Sequence, residues 1–453
     1  MENKKNELFE KMRPRKALIL MALPTIASQM VILLYNLADT WFIGRTNDPY
    51  MIGASSLALT VYMFVVAIAN VFGVGGGSLM VRLIGEKNTA DAKKVSSYSV
   101  AMSIICTFVF SILLLIFVEP LLKLLGASDE TLKYAKQYVM ATTIIGGIPT
   151  VLSMCMPMLI RNTGYSTVAG LGVIIGSLIN IGLDPLFMFV ILPEGSEVLG
   201  AGIATMLSNL ISAVYFVIVF IKLKDKTVLQ LPRKIEKPAG DQLRSLFSVG
   251  VPAAVAIFLY DLVTILLNKL AADYGDIELA AMGIVLKLER IPIYIGLGIC
   301  FGMVPLVAYN FGAKNRGRMD SFLKLTSVTV ICLSAVTALL FLLFPNIFVS
   351  LFISDESTVS FGVDFLKGRC AALPLMLVGY IITNYLNAVN KGKISFLLAL
   401  IRHLVIIIPI MLIMNTAMGL NGLVMSQIVA DVINTAVACC IFAKVYKTVV
   451  RDI

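Results

Sequence analysis

Runs of about 20 apolar residues, separated by short polar clusters, recur along the whole chain, and each is long enough to cross a bilayer core roughly 30 Å thick as a helix. Twelve spans are predicted, at 17–42, 51–78, 95–118, 135–159, 166–192, 199–221, 246–269, 279–309, 321–344, 362–389, 394–414 and 420–443. The first follows a polar segment of about 15 residues, with no small-residue cleavage site behind a short apolar core, so the N-terminus does not read as a removable signal peptide.

The punctuation between the spans repeats. Leu23-Pro24 matches Val251-Pro252, "GEKN" (Gly85 to Asn88) matches "GAKN" (Gly312 to Asn315), and "SDE" from Ser128 matches "SDE" from Ser354. Pro149 matches Pro374, and "NTG" from Asn162 matches "NKG" from Asn390. The offset stays between 225 and 228 residues throughout. Matches in order at a nearly fixed offset indicate duplication of a six-span unit. Six is even, so both copies enter the membrane the same way round, as in parallel repeats related by an axis along the membrane normal. The predicted fold is an all-α integral membrane protein: twelve transmembrane helices in two six-helix lobes around a central cavity. The lobes are assigned to residues 1–221 and 245–453, with 222–244 as a basic linker.

Composition agrees with this pattern. Of the 453 residues 58% are hydrophobic and only 14% charged, too few charges to cover a soluble surface. The formal charge of +10 is explained by position rather than by a nucleic-acid partner. Most Lys and Arg fall in the N-terminus, the even-to-odd loops and the C-terminal tail, among them Lys11, Arg13, Arg82, Lys94, Lys222, Arg233, Arg316 and Lys444. The odd-to-even loops carry few: Arg45, Lys123, Lys133, Lys136, Lys269, Lys367 and Arg369. Both termini are therefore expected in the cytoplasm. The seven cysteines sit in apolar runs without metal-ligand spacing and read as core residues. "GVGGGS" (Gly73 to Ser78) lacks the strand and the Lys of a phosphate loop and reads as close helix packing.

Apart from charges near the span ends, several of them counted above with the loops, the charged residues inside the spans to be explained are Asp39, Asp184, Asp261, Lys287, Glu289, Arg290, Arg402 and Asp431, with His403 beside them. A charge at a helix centre costs about 2.5–3.5 kcal/mol on insertion scales, so each calls for a partner or a function. Asp184 lies roughly 27 Å along span 5 at 1.5 Å per residue, with Asn180 one turn before it and Pro185 freeing the carbonyl of Ile181. Asp39 near the end of span 1 and Thr205 near the start of span 6 reach the same depth. No Lys or Arg in spans 1 to 6 neutralises the two acids. Their oxygens suit a hard cation such as Na⁺. Two close carboxylates equally suit a shared proton. The plain alternative is that the acids only bond neighbouring backbone or Tyr35. The second half mixes both signs, from Asp261, Lys287, Glu289 and Arg290 to Arg402 and Asp431, and reads either as an ion-pair network or as a substrate or proton site. Met63, Phe64 and Met282 are candidate cavity residues.

Twelve spans in two repeats, "LADTWFIG" ending span 1, "NIGLDPL" in span 5 and the two "GxKN" turns resemble the MATE family, the multidrug and toxic compound extrusion transporters. "VSSYS" (Val95 to Ser99) and "GMVPLVAYNF" (Gly302 to Phe311) are most similar to its MepA-like multidrug pumps. The resemblance covers essentially the whole chain. It implies cation-coupled antiport in a bacterial cytoplasmic membrane, Na⁺ or H⁺ entering as organic cations leave, with no enzymatic step, no other cofactor and a monomeric protein. It places the cation site at Asp39, Asn180, Asp184 and Thr205, with Tyr35 one turn before Asp39. Asp261 matches an acid that some members carry on span 7, while "LVGYIITNYLNA" carries no carboxylate on span 10. A flippase for a lipid-linked sugar, from the same superfamily, is the second transporter reading; the lack of Lys and Arg in the first-half spans, Lys136 at the edge of the fourth aside, argues against a pyrophosphate cargo. An intramembrane enzyme is disfavoured by a single histidine and the lack of an HExxH motif, and a channel by the internal duplication.

Overall fold

The computed structural model describes residues 7–232 and 235–451, so Arg233 and Lys234 of the linker lie outside the described residues, as do both extreme ends. Each predicted span is helical. We label the helices α1 (Pro14–Gly44), α2 (Pro49–Gly85), α3 (Thr89–Leu124), α4 (Asp129–Ile145 with Gly147–Asn162), α5 (Ser166–Ile191) and α6 (Glu197–Leu223). The second half follows with α7 (Gly240–Ala272), α8 (Asp276–Gly312), α9 (Arg316–Leu343), α10 (Glu356–Cys370 with Leu373–Ala388) and α11 and α12, which share Gly392–Arg451. That last stretch has 60 residues, about 90 Å of helix and far more than one crossing needs. It breaks at Gly419 (φ 60°, ψ −141°), a conformation that glycine adopts without a Cβ penalty, and so counts as two spans. With α4 and α10 each taken as one bent span, the described residues hold the twelve crossings that the hydropathy predicted.

The repeated motifs turn out to be helix starts and stops. Lys87 and Lys314, the third residues of "GEKN" and "GAKN", both adopt a left-handed backbone, φ 63° and 56°. The Asn that follows caps the next helix: Asn88 Oδ1 accepts from Asp91 N at 3.2 Å, and Asn315 Oδ1 from Arg318 N at 3.2 Å. The two "SDE" motifs also cap helices, α4 through Ser128 and α10 through Asp355, one residue apart in register. Two donors from Thr358, its N–H and its hydroxyl, hold the exposed Asp355 carboxyl below the usual carboxylate range. Pro149 and Pro374 fall just after the bends of α4 and α10, 55° and 48°.

The surface is apolar, unlike that of a soluble bundle, and small polar residues line some of the buried helix contacts beside an apolar core. Along α3 Phe108, Ile112, Leu115 and Ile116 are exposed, whereas Ser99, Ser103, Thr107 and Ser111 are buried at four-residue spacing. This is the pattern of a multi-pass membrane protein, whose helices meet through small side chains. The "GVGGGS" stretch does the same on α2. A Cβ on Gly76 would stand 2.1 Å from Ser99 Oγ, and one on Gly77 would stand 2.4 Å from Asn162 Nδ2.

The chain divides into two compact units, one of residues 1–11 and 27–254, the other of 12–26 and 255–453. The division cuts α1 just after Pro24 and α7 just after Pro252. Proline removes a helical hydrogen bond, so both cuts fall where the helix is weakest along its length.

Candidate functional site

Gly172, Gly176, Asn180 and Asp184 recur every fourth residue and line one face of α5. The two glycines set how close α6 comes. A Cβ on Gly172 would lie 2.4 Å from Phe216 Cε1, and one on Gly176 would lie 2.0 Å from Ser212 Oγ. At that separation Asn180 reaches across. Its Nδ2 donates to Asp184 Oδ1 at 3.3 Å and to Thr205 Oγ1 at 3.5 Å. Asn180, Asp184 and Thr205 are all buried. The helix runs on through Pro185 and then widens into a π-turn, Phe187–Ile191, against which Gly200 of α6 packs with no room for a Cβ. We expect Gly176→Val to prise α5 from α6 and weaken whatever Asn180, Asp184 and Thr205 bind together by tenfold or more. Gly182→Ala, with open space around it, serves as the neutral control. Ligand titration of the two purified variants checks this.

Asp39 on α1 lies close enough to Asp184 for their charges to interact. Tyr35 one turn earlier is a neighbour of both acids. The sequence-predicted set is therefore brought together within one unit. Within this set three buried oxygens have no hydrogen-bond partner among the described residues: Asp39 Oδ1, Asp184 Oδ2 and Asn180 Oδ1. Acceptors buried without donors are costly, and a cation or an added proton is what would satisfy them. Only two carboxylates contribute, and among the described residues no cluster of three or more His, Cys, Asp or Glu exists to hold a transition metal.

Two tyrosines were not foreseen. Tyr138 of α4 interacts with Thr205 and lies in the field of both acids, and Tyr62 of α2 is a neighbour of Tyr138 and Asp39. Tyr62 also accepts from Asn209 Nδ2 at 3.5 Å, and the same amide donates to Thr150 Oγ1 at 3.1 Å. Tyrosines are ordinary residues in such spans, and only the fold gathers these three. Phe64 is exposed and stacks on Phe110 at 5.6 Å between ring centroids, and Met63 beside it is half-buried.

The second unit treats its charges differently. Glu289 of α8 accepts two bonds from Arg369, Nε at 2.9 Å and an Nη at 3.0 Å, a fully buried bidentate pair. Arg402 donates to Asp431 at 3.0 Å, and Gln427 supplies that carboxylate with a second donor at 2.6 Å. The guanidinium of Arg402 also sits 5.2 Å over the Tyr380 ring. Glu289, Arg369, Arg402, Gln427 and His403 line a cavity of about 40 Å³, enough for a few waters. Half-buried Asp261 lies in the field of Arg290, while Met282 is buried in the apolar core of this unit. Arg369 was expected in a loop. It is 4% exposed instead, because the short first segment of α10 folds inward ahead of the 48° bend. Arg82 is likewise buried, bonded to Ser245 Oγ at 2.6 Å, because α2 runs past the limit of its apolar stretch. Arg82 and Arg161 therefore lie within helices of the first half, in contrast to the expectation that its spans carry none.

The MatE family model matches this chain twice, over residues 24–186 and 252–413. This chain belongs to the MatE family. The two matched segments begin 228 residues apart, which makes the duplication a property of the family pattern and not of a few short motifs. Curated relatives include the multidrug export protein MepA of Staphylococcus aureus, 31% identical over 98% of this chain and 96% of that protein. The MepA of Staphylococcus saprophyticus is 28% identical with the same coverage. Among solved structures, a MATE crystallised in complex with MaL6 superposes with a TM-score of 0.91 at 22% identity, covering 98% of this chain and 99% of that one. The first match to the MatE model contains Tyr35, Asp39, Asn180 and Asp184, while Thr205 lies beyond it. In this MatE chain the two halves share a frame and differ in their acids: Asp39 and Asp184 form no ion pair among the described residues, whereas Glu289 and Asp431 are paired with Arg369 and Arg402.

Proposed function

We propose that this MatE chain is a cation-coupled antiporter that exports bulky, mostly cationic amphiphiles by alternating access. The observation that carries the reading is the trio of orphaned oxygens on Asp39, Asn180 and Asp184. They accept no hydrogen bond from any side chain or backbone among the described residues, so a cation entering there meets negative charge and free acceptors. Thr205, Tyr35 and Tyr138 supply hydroxyls to complete its shell. The curated relatives are named multidrug export proteins, which supports drugs as the cargo class. The second unit's acids are held by Arg369 and Arg402, which favours coupling through the first. The Lys and Arg distribution supports cytoplasmic termini in a bacterial inner membrane.

Purified protein in liposomes, loaded with a fluorescent organic cation, provides the test. Efflux is measured under a sodium gradient and, separately, under a proton gradient. One of the two is expected to drive export against the dye's own gradient. Export that responds to neither would sink the coupling, and unitary currents in a planar bilayer would point to a channel.

A further inference from the structure

In each unit a helix end lies against the unit's glycine-bearing second helix with no room for a side chain between them. In the first unit a Cβ on Gly75 of α2 would lie 2.4 Å from the carbonyl oxygen of Leu246 and 3.0 Å from Gly250 Cα, both on the first part of α7. In the second unit a Cβ on Gly302 of α8 would lie 2.8 Å from Ala22 Cα, and one on Gly298 would lie 2.8 Å from Ile26 Cα, both on the first part of α1. The atoms in the way are backbone, which cannot swing aside as a side chain can. The repeat relates the two contacts. Gly75 maps onto Gly302 at an offset of 227, and Ala22 maps onto Gly250 at 228. A chance approach would not recur in register. Ala22 and Gly250 each lie two residues ahead of a proline, Pro24 and Pro252, and the unit boundary follows directly. A second tie lies at the start of α1, where Arg318 of α9 donates to the carbonyl of Met12 at 2.9 Å.

We infer that Gly298 and Gly302 are positioning residues that hold residues 14–26 of α1 on α8, so that this segment travels with the second unit. Residues 27–44, with Tyr35 and Asp39, travel with the first. This movement rests on the alternating-access reading, whereas the contact itself is geometric. α1 is a single helix, Pro14–Gly44, with a foot in each unit.

The test uses the full-length protein with exposed Cys332, Cys439 and Cys440 changed to Ser, and with Met12→Cys and Gly317→Cys carrying spin labels in nanodiscs, which leaves the Arg318 side chain and the Met12 carbonyl in place. Spectra are taken at acidic and neutral pH, with and without Na⁺ and tetraphenylphosphonium. Equal dipolar broadening in every condition is expected, since the two sites never part. Broadening that disappears in any condition overturns the inference. Joining the same cysteines with a short bis-thiol reagent is expected to leave dye export within twofold of the unlinked protein, whereas a tenfold loss on linking counts against it. Gly302→Leu, or Gly302→Ala if the leucine variant does not fold, is expected to lose broadening while remaining monodisperse. Unchanged broadening in the folded variant would remove the glycine from the account. If the wild type exports no dye under any gradient, the transport reading fails on its own and the spin-label result still decides the clamp.

Discussion

Asp184→Asn is expected to cut gradient-driven dye export at least tenfold while leaving the protein folded and monodisperse. The side chain is isosteric and the site small, so the change removes a charge and little else. With its carbonyl oxygen still accepting from Asn180 Nδ2, the new amide puts its N–H pair where the unpartnered Oδ2 stood. Donors then point at the place a cation would take, and the cation loses one of its two formal negative charges. Asp39→Asn should behave alike. Thr205→Ala should cost less, since it removes a neutral ligand at the edge of the set. The measurement is export under the driving gradient, normalised to reconstituted protein. Export by Asp184→Asn at the wild-type rate would reduce the site to scaffolding and move attention to the second unit.

Arg369→Ala is expected to be the most destabilising single change outside that site. It leaves Glu289 buried and charged with no partner, and breaking one side of such a pair costs about 3–5 kcal/mol. In detergent the thermal midpoint should fall by several degrees. Replacing both partners, as Glu289→Leu with Arg369→Met, should recover most of the loss, because apolar residues of similar size often substitute for a buried ion pair at little cost. The double variant then separates two readings of the second unit. Recovered stability with normal export makes the pair structural. Recovered stability with lost export makes the charges part of the transport machinery. A melting temperature for Arg369→Ala equal to the wild type would refute the energetic argument itself.

Hydropathy located every crossing because a bilayer imposes its thickness directly on the sequence, one apolar run per span. It placed Asp39, Asn180, Asp184 and Thr205 at one depth because 1.5 Å per residue converts position into height. Height is not azimuth, however. Tyr138 and Tyr62 share that level but were invisible, since nothing in a run of apolar residues says which way a tyrosine faces until Gly202 and its neighbours fix the packing of α4 on α6. Arg369 was misplaced for a related reason. A charge near the end of an apolar stretch reads as a loop residue, and the inward fold of a short, bent helix has no hydropathy signature. The helix ends of α2 and α4 were set too early because polar residues extend a helix beyond the membrane without changing its backbone. Motifs such as "GEKN" were legible as repeats yet opaque as structure until Lys87 and Asn88 were seen to stop one helix and start the next.

The exchange of helix ends between the two units bears on how such a protein came to exist. If the first part of α1 folds only against α8, and its counterpart in α7 only against α2, neither half of the chain can complete its own core. A six-helix ancestor carrying one repeat would have met the same difficulty, and two copies would have resolved it by trading their leading segments. The ancestral form implied is an intertwined dimer with a two-fold axis, and gene fusion would have made that embrace permanent. Halves of the present chain expressed apart should accordingly accumulate together or not at all.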